Sequence, residues 1–301
     1  MRSINELIDL LVQFARSDGV FKTPVPRMSI MRCSAPTAPE LVLYEPSICV
    51  VAQGVKEARL DDQTYRYDSA HYLLGSVRLP VFGAVTKATK KHPYICLRLD
   101  LDPEIIAELM MLPVETKIND VISSGLKLGE MDDQLVDTVV RLAETMNDPK
   151  SISVLSPLVE KELIWRLLQQ PETHSVLAQM VTSSSRLRRI RKAIEWIEFH
   201  FTESIYTSDL ADMALMGLSN FHKQFKTVTG TSPIRFRSHL RLMAARRLMV
   251  VEGYDAAEAG FEVGYYEPAQ FSREYSKMFG YSPKQDAKRL KNSFHMGINQ
   301  L

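Results

Sequence analysis

Residues 260–283 read "GFEVGYYEPAQFSREYSKMFGYSP", and a shorter echo, "MGLSNFHKQFKTVTGTSP", stands at 216–233. The two segments align at a separation of 50 residues: Tyr275 answers Phe225, Gly280 answers Gly230, and Pro283 answers Pro233. Phe221 and Phe271 each precede the second aromatic by one helical turn, so each pair lies on one helix face. Lys223 and Arg273 occupy the same step of the echo. A shared aromatic face can arise from packing alone. A shared cation beside it points to a duplicated surface with a task.

Each copy reads as a helix-turn-helix, over about 207–228 and 255–278. "DLADMALMGLSNFHKQF" breaks near Gly217, and "AAEAGFEVGYYEPAQFSREY" places Gly264 in its turn, with one extra residue there. If the aromatics face inward, His222, Lys223, Ser272 and Arg273 face away from the core. The major groove accepts one α-helix and offers base edges that long polar side chains read. "PIRFRSHLRLMAARRLMV" between the copies predicts a long helix with Leu240, Met243, Ala244 and Leu248 inward. Its roughly 17 residues span about 25 Å. Gly230 and Gly280, each followed by Ser-Pro two residues later, are expected to end the reading helices.

The chain has 301 residues, 45% hydrophobic and 24% charged, which predicts about two domains. Its net charge of +1 hides an asymmetry: residues 181–301 hold 18 Lys and Arg against 12 Asp and Glu, and residues 1–180 hold 19 against 24. A basic half joined to an acidic one suits a chain of which one part meets a polyanion. The opening "INELIDLLVQFAR" is amphipathic and interrupted by Glu6 and Asp9, unlike a secretory leader, and no apolar run reaches membrane-spanning length. Three cysteines without metal spacing suit reduced thiols in a cytoplasmic protein. Short segments rich in β-branched and aromatic residues fill about 20–112 and predict a small β-barrel or sandwich, with Asp61-Asp62 in a hairpin loop. Helical periodicity takes over at about 115–178, with one stripe of Leu135, Val139, Leu142 and Met146 and another of Leu155, Leu158, Val159, Leu163 and Leu167. These helices are read as a dimerisation segment. A polar linker is expected at 181–189 and a helical domain at 190–289.

The segments "LADMA", "FHKQFKTVTGTSP", "LRLMAARRLM", "VGY" and "QFSREYSKMFGYSP" resemble the DNA-binding domain of the AraC/XylS family of bacterial transcription regulators. "CSAPTAPELVLYEPSICVVAQG", "DDQTYRYDSAHYLLGSVRLPV" and "PYICLRLDLDPEIIAEL" resemble the cupin-like effector domain of one subgroup, so the likeness covers most of the chain. The resemblance implies an α+β chain of two domains: a cupin-like barrel with flanking helices at 1–180 and an all-α double helix-turn-helix. It implies a homodimer on directly repeated half-sites of double-stranded promoter DNA, a small-molecule effector, and contact with RNA polymerase. Base-reading positions carry over to Ser219, His222 and Lys223 in the first unit and to Pro268, Ala269 and Arg273 in the second. Pro268 and Ala269 donate no side-chain hydrogen bonds, and Gly217 and Glu267 stand where the family often has serine, so the first unit is expected to give more specificity. Lys226, Arg235 and Lys277 are read as phosphate partners.

His71 and His92 do not form the clustered pattern of a metal-binding cupin, and neither a phosphate loop nor a nucleophile elbow is present. The chain is therefore read as a regulator with no catalytic residues, metal or cofactor; the alternative is a cupin-type enzyme with a regulatory helical tail. Cys33, in polar "MRCSAPTAP", is the candidate thiol sensor for an electrophilic effector, while Cys49 and Cys96 read as small core residues.

Overall fold

The computed structural model describes residues 2–112, 123–182 and 185–295, with side chains as far as 291. It divides into two compact units, Met1–Arg188 and Arg189–Leu301. In the first, α1 (Ile4–Phe14) starts where the Ser3 hydroxyl accepts from the Glu6 amide, and it buries Leu7 and Leu11. Nine strands follow: β1 (Gly19–Lys22), β2 (Met28–Cys33), β3 (Glu40–Tyr44), β4 (Ser47–Gln53), β5 (Val55–Leu60), β6 (Gln63–Tyr67), β7 (His71–Gly75), β8 (Leu79–Lys87) and β9 (Tyr94–Asp100). After α2 (Pro103–Met110) comes β10 (Leu126–Glu130), then α3 (Asp133–Glu144), α4 (Ile152–Gln169) and α5 (Pro171–Val181).

The strands form two antiparallel sheets, ordered β1-β2-β9-β4-β7-β10 and β3-β8-β5-β6. Among the described residues no ladder joins them, so the expected barrel is two sheets that do not close. The chain passes from one sheet to the other at Gly54, whose φ is +89°. A Cβ there would stand 2.6 Å from the Lys87 carbonyl oxygen, so only glycine makes this corner. Asp61, with φ +55°, and Asp62 close the β5–β6 hairpin, where Leu60 pairs with Gln63.

β10 corrects the expected helical run from about 115, of which 115–122 lie outside the described residues. "LKLGE" adds an edge strand against β7, and Gly129 leaves space that the Tyr72 ring fills. In α3, Leu135, Val139 and Leu142 are buried as the periodicity requires. In α4 the C-terminal half buries Leu163 and Leu167, but Val154, Leu155 and Leu158 are exposed. The buried carboxylate of Glu160 accepts two hydrogen bonds from Arg27 at 2.7 and 2.8 Å and fixes α4 to the β1–β2 loop.

The second unit is helical: α6 (Arg186–His200), α7 (Thr207–Met213), α8 (Leu218–Thr229), α9 (Pro233–Arg247), a π-turn (Leu248–Glu252), α10 (Ala256–Glu262), α11 (Pro268–Phe279) and α12 (Pro283–His295). Because α6 begins at Arg186, the later part of the stretch read as a linker is helical. Leu187, Ile190, Ile194 and Ile197 are buried along it.

Helix α9 departs from the expected single apolar face. Leu240, Leu242, Ala245 and Met249 are buried, whereas Met243, Ala244 and Leu248 are half-buried. A helix with partners on two sides loses the simple 3.6-residue stripe. Phe236 packs edge-on against Phe225 of α8 at 5.7 Å, while Leu242, Ala245 and Met249 join Ala259, Val263, Tyr265, Phe271 and Tyr275 in the core of the second helix pair.

Candidate nucleic-acid interface

The two helix pairs, α7–α8 and α10–α11, are built alike down to their turns. Met216 donates its amide to Ala211, and Tyr265 donates to Gly260, at 3.0 and 2.9 Å. In each turn one residue is left-handed: Leu215 at φ +53° and Gly264 at φ +88°. The break in the first copy therefore falls on Leu215, and Gly217 is the extended residue that begins α8. Gly264 is obligatory, since a Cβ would collide with the Thr202 carbonyl oxygen and the Arg241 guanidinium.

Arg241 explains that crowding. From α9 it donates to the carbonyls of Phe201, Thr202 and Glu203 after α6 and of Gly264 in the second turn. One buried side chain thus serves four backbone acceptors, one of which, the Glu203 carbonyl, also accepts from Arg237 at 3.1 Å. Burial, and then the nearby Arg237, hold its pKa below the usual arginine value. Asp286 of α12 is a second hub: fully buried, it accepts from Arg246 at 2.8 Å, Arg289 at 2.9 Å and Tyr275 at 3.0 Å. These arginines are framework.

Helices α8 and α11 are anchored by rings and capped by glycine. Phe221 and Phe225 of α8 stand 5.5 Å apart, as do Phe271 and Tyr275 of α11, and all four are buried. Gly230 at φ +71° and Gly280 at φ +78° each return an amide to the last turn. With the aromatics inward, Ser219, Lys223 and Lys226 are exposed and His222 is half-buried on α8; Ala269, Arg273 and Lys277 are exposed on α11, and Arg235 on α9. Among the described residues, Lys223, Lys226, Arg235, Arg273 and Lys277 enter no side-chain ion pair, unlike Arg246 and Arg289. Glu274, next to Arg273, is engaged by Tyr265 at 2.7 Å and Gln270 at 2.9 Å. Cations free of internal carboxylates keep their charge for an external anion.

Sequence reasoning overlooked one matched pair. Asn220 and Gln270 are both exposed, one step before the inward aromatics, and carry amides of the kind that read adenine. The separation of 50 was the available signal.

In the first unit, Cys33 donates to the Ala35 carbonyl at 2.9 Å, and burial pushes its thiol pKa up. Pro268 begins α11 after Glu267, which makes no side-chain cap bond. His71 bonds Asp68 at 3.0 Å. Among the described residues no three His, Cys, Asp or Glu side chains are grouped to hold a metal ion, and no helix is long and apolar enough to cross a membrane.

Residues 24–175 match the AraC-type transcriptional regulator N-terminus, and residues 210–289 match a helix-turn-helix domain. The HTH-type transcriptional activator RhaS of Escherichia fergusonii is 27% identical over 156 residues, 52% of this chain and 55% of that one. RhaS of Escherichia coli is 26% identical over 151 residues, 50% and 53% of the two chains. The chain therefore spans about half the length of the curated relatives it matches. Among solved structures, unsaturated-fatty-acid-bound ToxT from Vibrio cholerae aligns with a TM-score of 0.56 at 10% identity, over 89% of this chain and 93% of that one. That likeness is one of fold, and it spans both units. With one match covering just over half of the chain and the other covering both helix pairs, this protein belongs to the family of AraC-type transcriptional regulators.

Proposed function

We propose that the protein binds double-stranded DNA sequence-specifically and regulates transcription in response to a small molecule received by the first unit. One observation carries the reading: two helix pairs of the same construction expose an uncompensated cation, Lys223 and Arg273, at the same step of their second helices. Two such helices enter successive major grooves when their spacing nears one duplex turn, about 34 Å. Ser219, His222, Lys223, Ala269 and Arg273 read bases; Lys226, Arg235 and Lys277 hold phosphates. Arg273 binds a guanine edge with two hydrogen bonds, and Ala269 meets a thymine methyl.

Two surfaces support the proposed partners. Val154, Leu155 and Leu158 expose an apolar face on α4, which suits a second copy of the chain. On α10, Phe261 is 67% exposed, and Tyr266 beyond it is 80% exposed. Glu258 and Glu262 flank them, so this surface repels DNA and suits a protein such as RNA polymerase. Sequencing the genomic fragments that the purified chain retains, across a salt series, tests the assignment. A common motif is expected, with affinity falling steeply with salt. Retention no better than that of random duplex would reject it.

A further inference from the structure

Lys56 of β5 reaches across the gap between the two sheets. Its Nζ lies 3.5 Å from Met31 Sδ on β2 and 5.5 Å from the centre of the Tyr44 ring. Met31 stands directly opposite Cys96 in the β2–β9 ladder, so the Cys96 side of the six-stranded sheet faces Lys56. Cys49 shares that side, because it pairs with Arg98, two residues from Cys96. Gly83 makes room opposite: a Cβ there would stand 3.0 Å from the Tyr44 hydroxyl and 3.4 Å from Lys56 Cε. The side chains of Lys56, Tyr44, Cys49, Cys96 and Tyr94 therefore converge between the sheets.

Three features of this cluster are unusual for a protein interior. Among the described residues Lys56, which is half-buried, has no carboxylate partner for its ammonium. The hydroxyls of Tyr44 and Tyr94 are buried with only Lys56 and Cys96 beside them, in poor hydrogen-bond geometry, and Tyr94 is fully buried. Cys96 is buried, but Cys49 retains solvent contact. The two thiols sit diagonally across the ladder, Cys49 opposite Arg98 and Cys96 opposite Val51. Cys96 is thus placed to tune Cys49.

We infer that Cys49 is a covalent capture site for a small α,β-unsaturated carbonyl compound, with Lys56 as counter-charge and the Tyr44 and Tyr94 hydroxyls as donors to the bound molecule. The Cys49 sulfur forms a bond to the β carbon, and the C=C electron pair moves to the carbonyl oxygen as an enolate beside Lys56. A proton then passes to the α carbon, completing an addition that needs no oxidant. Hydrogen bonding with Cys96 opposes the effect of burial and, with the charges of Lys56 and Arg98, holds Cys49 at about 7. Burial acts against the charge of Lys56, yet Tyr44 and the two cysteines hold its pKa above the usual value. Tyr67 and Ser47 also act on the pair, and Arg98 is itself paired with Asp100 at 2.6 Å.

The regulatory meaning of this site rests on the sensor reading above; its chemistry does not. Methyl vinyl ketone at one equivalent is added to the full chain, and peptides are mapped by mass over time. Cys49 is expected to be alkylated before Cys33, with a rate that rises through pH about 7. Lys56→Met is expected to slow that reaction about threefold, because one of the two positive charges that favour the thiolate is lost while Cys96 and Arg98 remain, and Lys56→Arg to restore most of it. Cys33→Ser should leave the Cys49 rate unchanged. Alkylation of Cys33 first, or a Cys49 rate indifferent to both Lys56 variants, would overturn the inference. DNA retention by the unmodified chain reports separately on the regulator assignment.

Discussion

Lys223 and Lys226 lie one turn apart on α8, both exposed, and differ in what they are placed to touch. Lys223 shares its step with Arg273 of the second copy, whereas Lys226 lies in the last turn of α8 and is the proposed phosphate partner. Lys223→Ala is expected to lose about 1–3 kcal/mol of discrimination at one base step, and Lys226→Ala to weaken all duplexes alike while reducing the salt slope by about 1. Binding measured on a panel of single-base operator variants separates the two. Identical behaviour would show that this sorting of the helix is wrong. His239 on α9 allows a different test. Burial, and then Arg235, push it down to about 4, and its Nδ1 is buried without a partner. Between about 4 and the usual 6.5 the unfolded chain binds a proton at this site that the folded chain refuses. Stability from this residue is therefore constant above about 6.5 and falls as pH drops toward 4. His239→Leu should flatten that part of the curve in thermal melts between pH 4.5 and 7; an unchanged slope would remove His239 from the account.

At the scale of elements, the turns separate what periodicity reveals from what it cannot. Gly230, Gly264 and Gly280 announce themselves, because only glycine enters the left-handed region without cost. Leu215 gives no such signal: it occupies the same region at φ +53° and is 76% exposed, and the nearby Gly217 draws the eye instead. Leu215→Gly gives up little apolar burial and relieves the conformation, so the midpoint of unfolding should rise by an amount worth about 1 kcal/mol. Gly264→Ala should do the opposite and cost at least about 2 kcal/mol, since its Cβ would displace either the Thr202 carbonyl or Arg241. The aromatic anchors Phe221, Phe225, Phe271 and Tyr275 were legible because both faces of the reading helices follow a simple period. In α9 the period fails because both sides are buried, and β10 hides among residues whose neighbours on each side favour helix. Cys49 was read as a core residue because strand alternation does not say which face of a sheet is fully packed. Only the register, placing it beside Cys96 and across from Lys56, shows that.

At the scale of the whole molecule, charge and packing divide the labour in the same place. The acidic unit ends at Arg188, and the unit from Arg189 onward carries the excess of Lys and Arg together with both helix pairs. Within that second unit, Arg241 and Asp286 join elements far apart in sequence, so its order draws on its own contacts. A chain assembled this way should separate. The fragment 186–301, which keeps all of α6, is expected to fold on its own and to select the same sequence motif as the full chain. Its salt slope should also match, because the proposed phosphate contacts Lys226, Arg235 and Lys277 all lie within it. If the chain pairs through α4 as proposed, what the fragment should lose is affinity for tandem sites, since linkage of two readers raises avidity by about 10²-fold or more without any new base contact. Arg241→Met in the same fragment is expected to abolish its cooperative melt, leaving the carbonyls of Phe201, Thr202 and Gly264 without that donor at a cost of about 3–5 kcal/mol. A fragment that melts cooperatively yet binds every duplex equally would place sequence selection outside α8 and α11, and the two-prong account of recognition would fall with it.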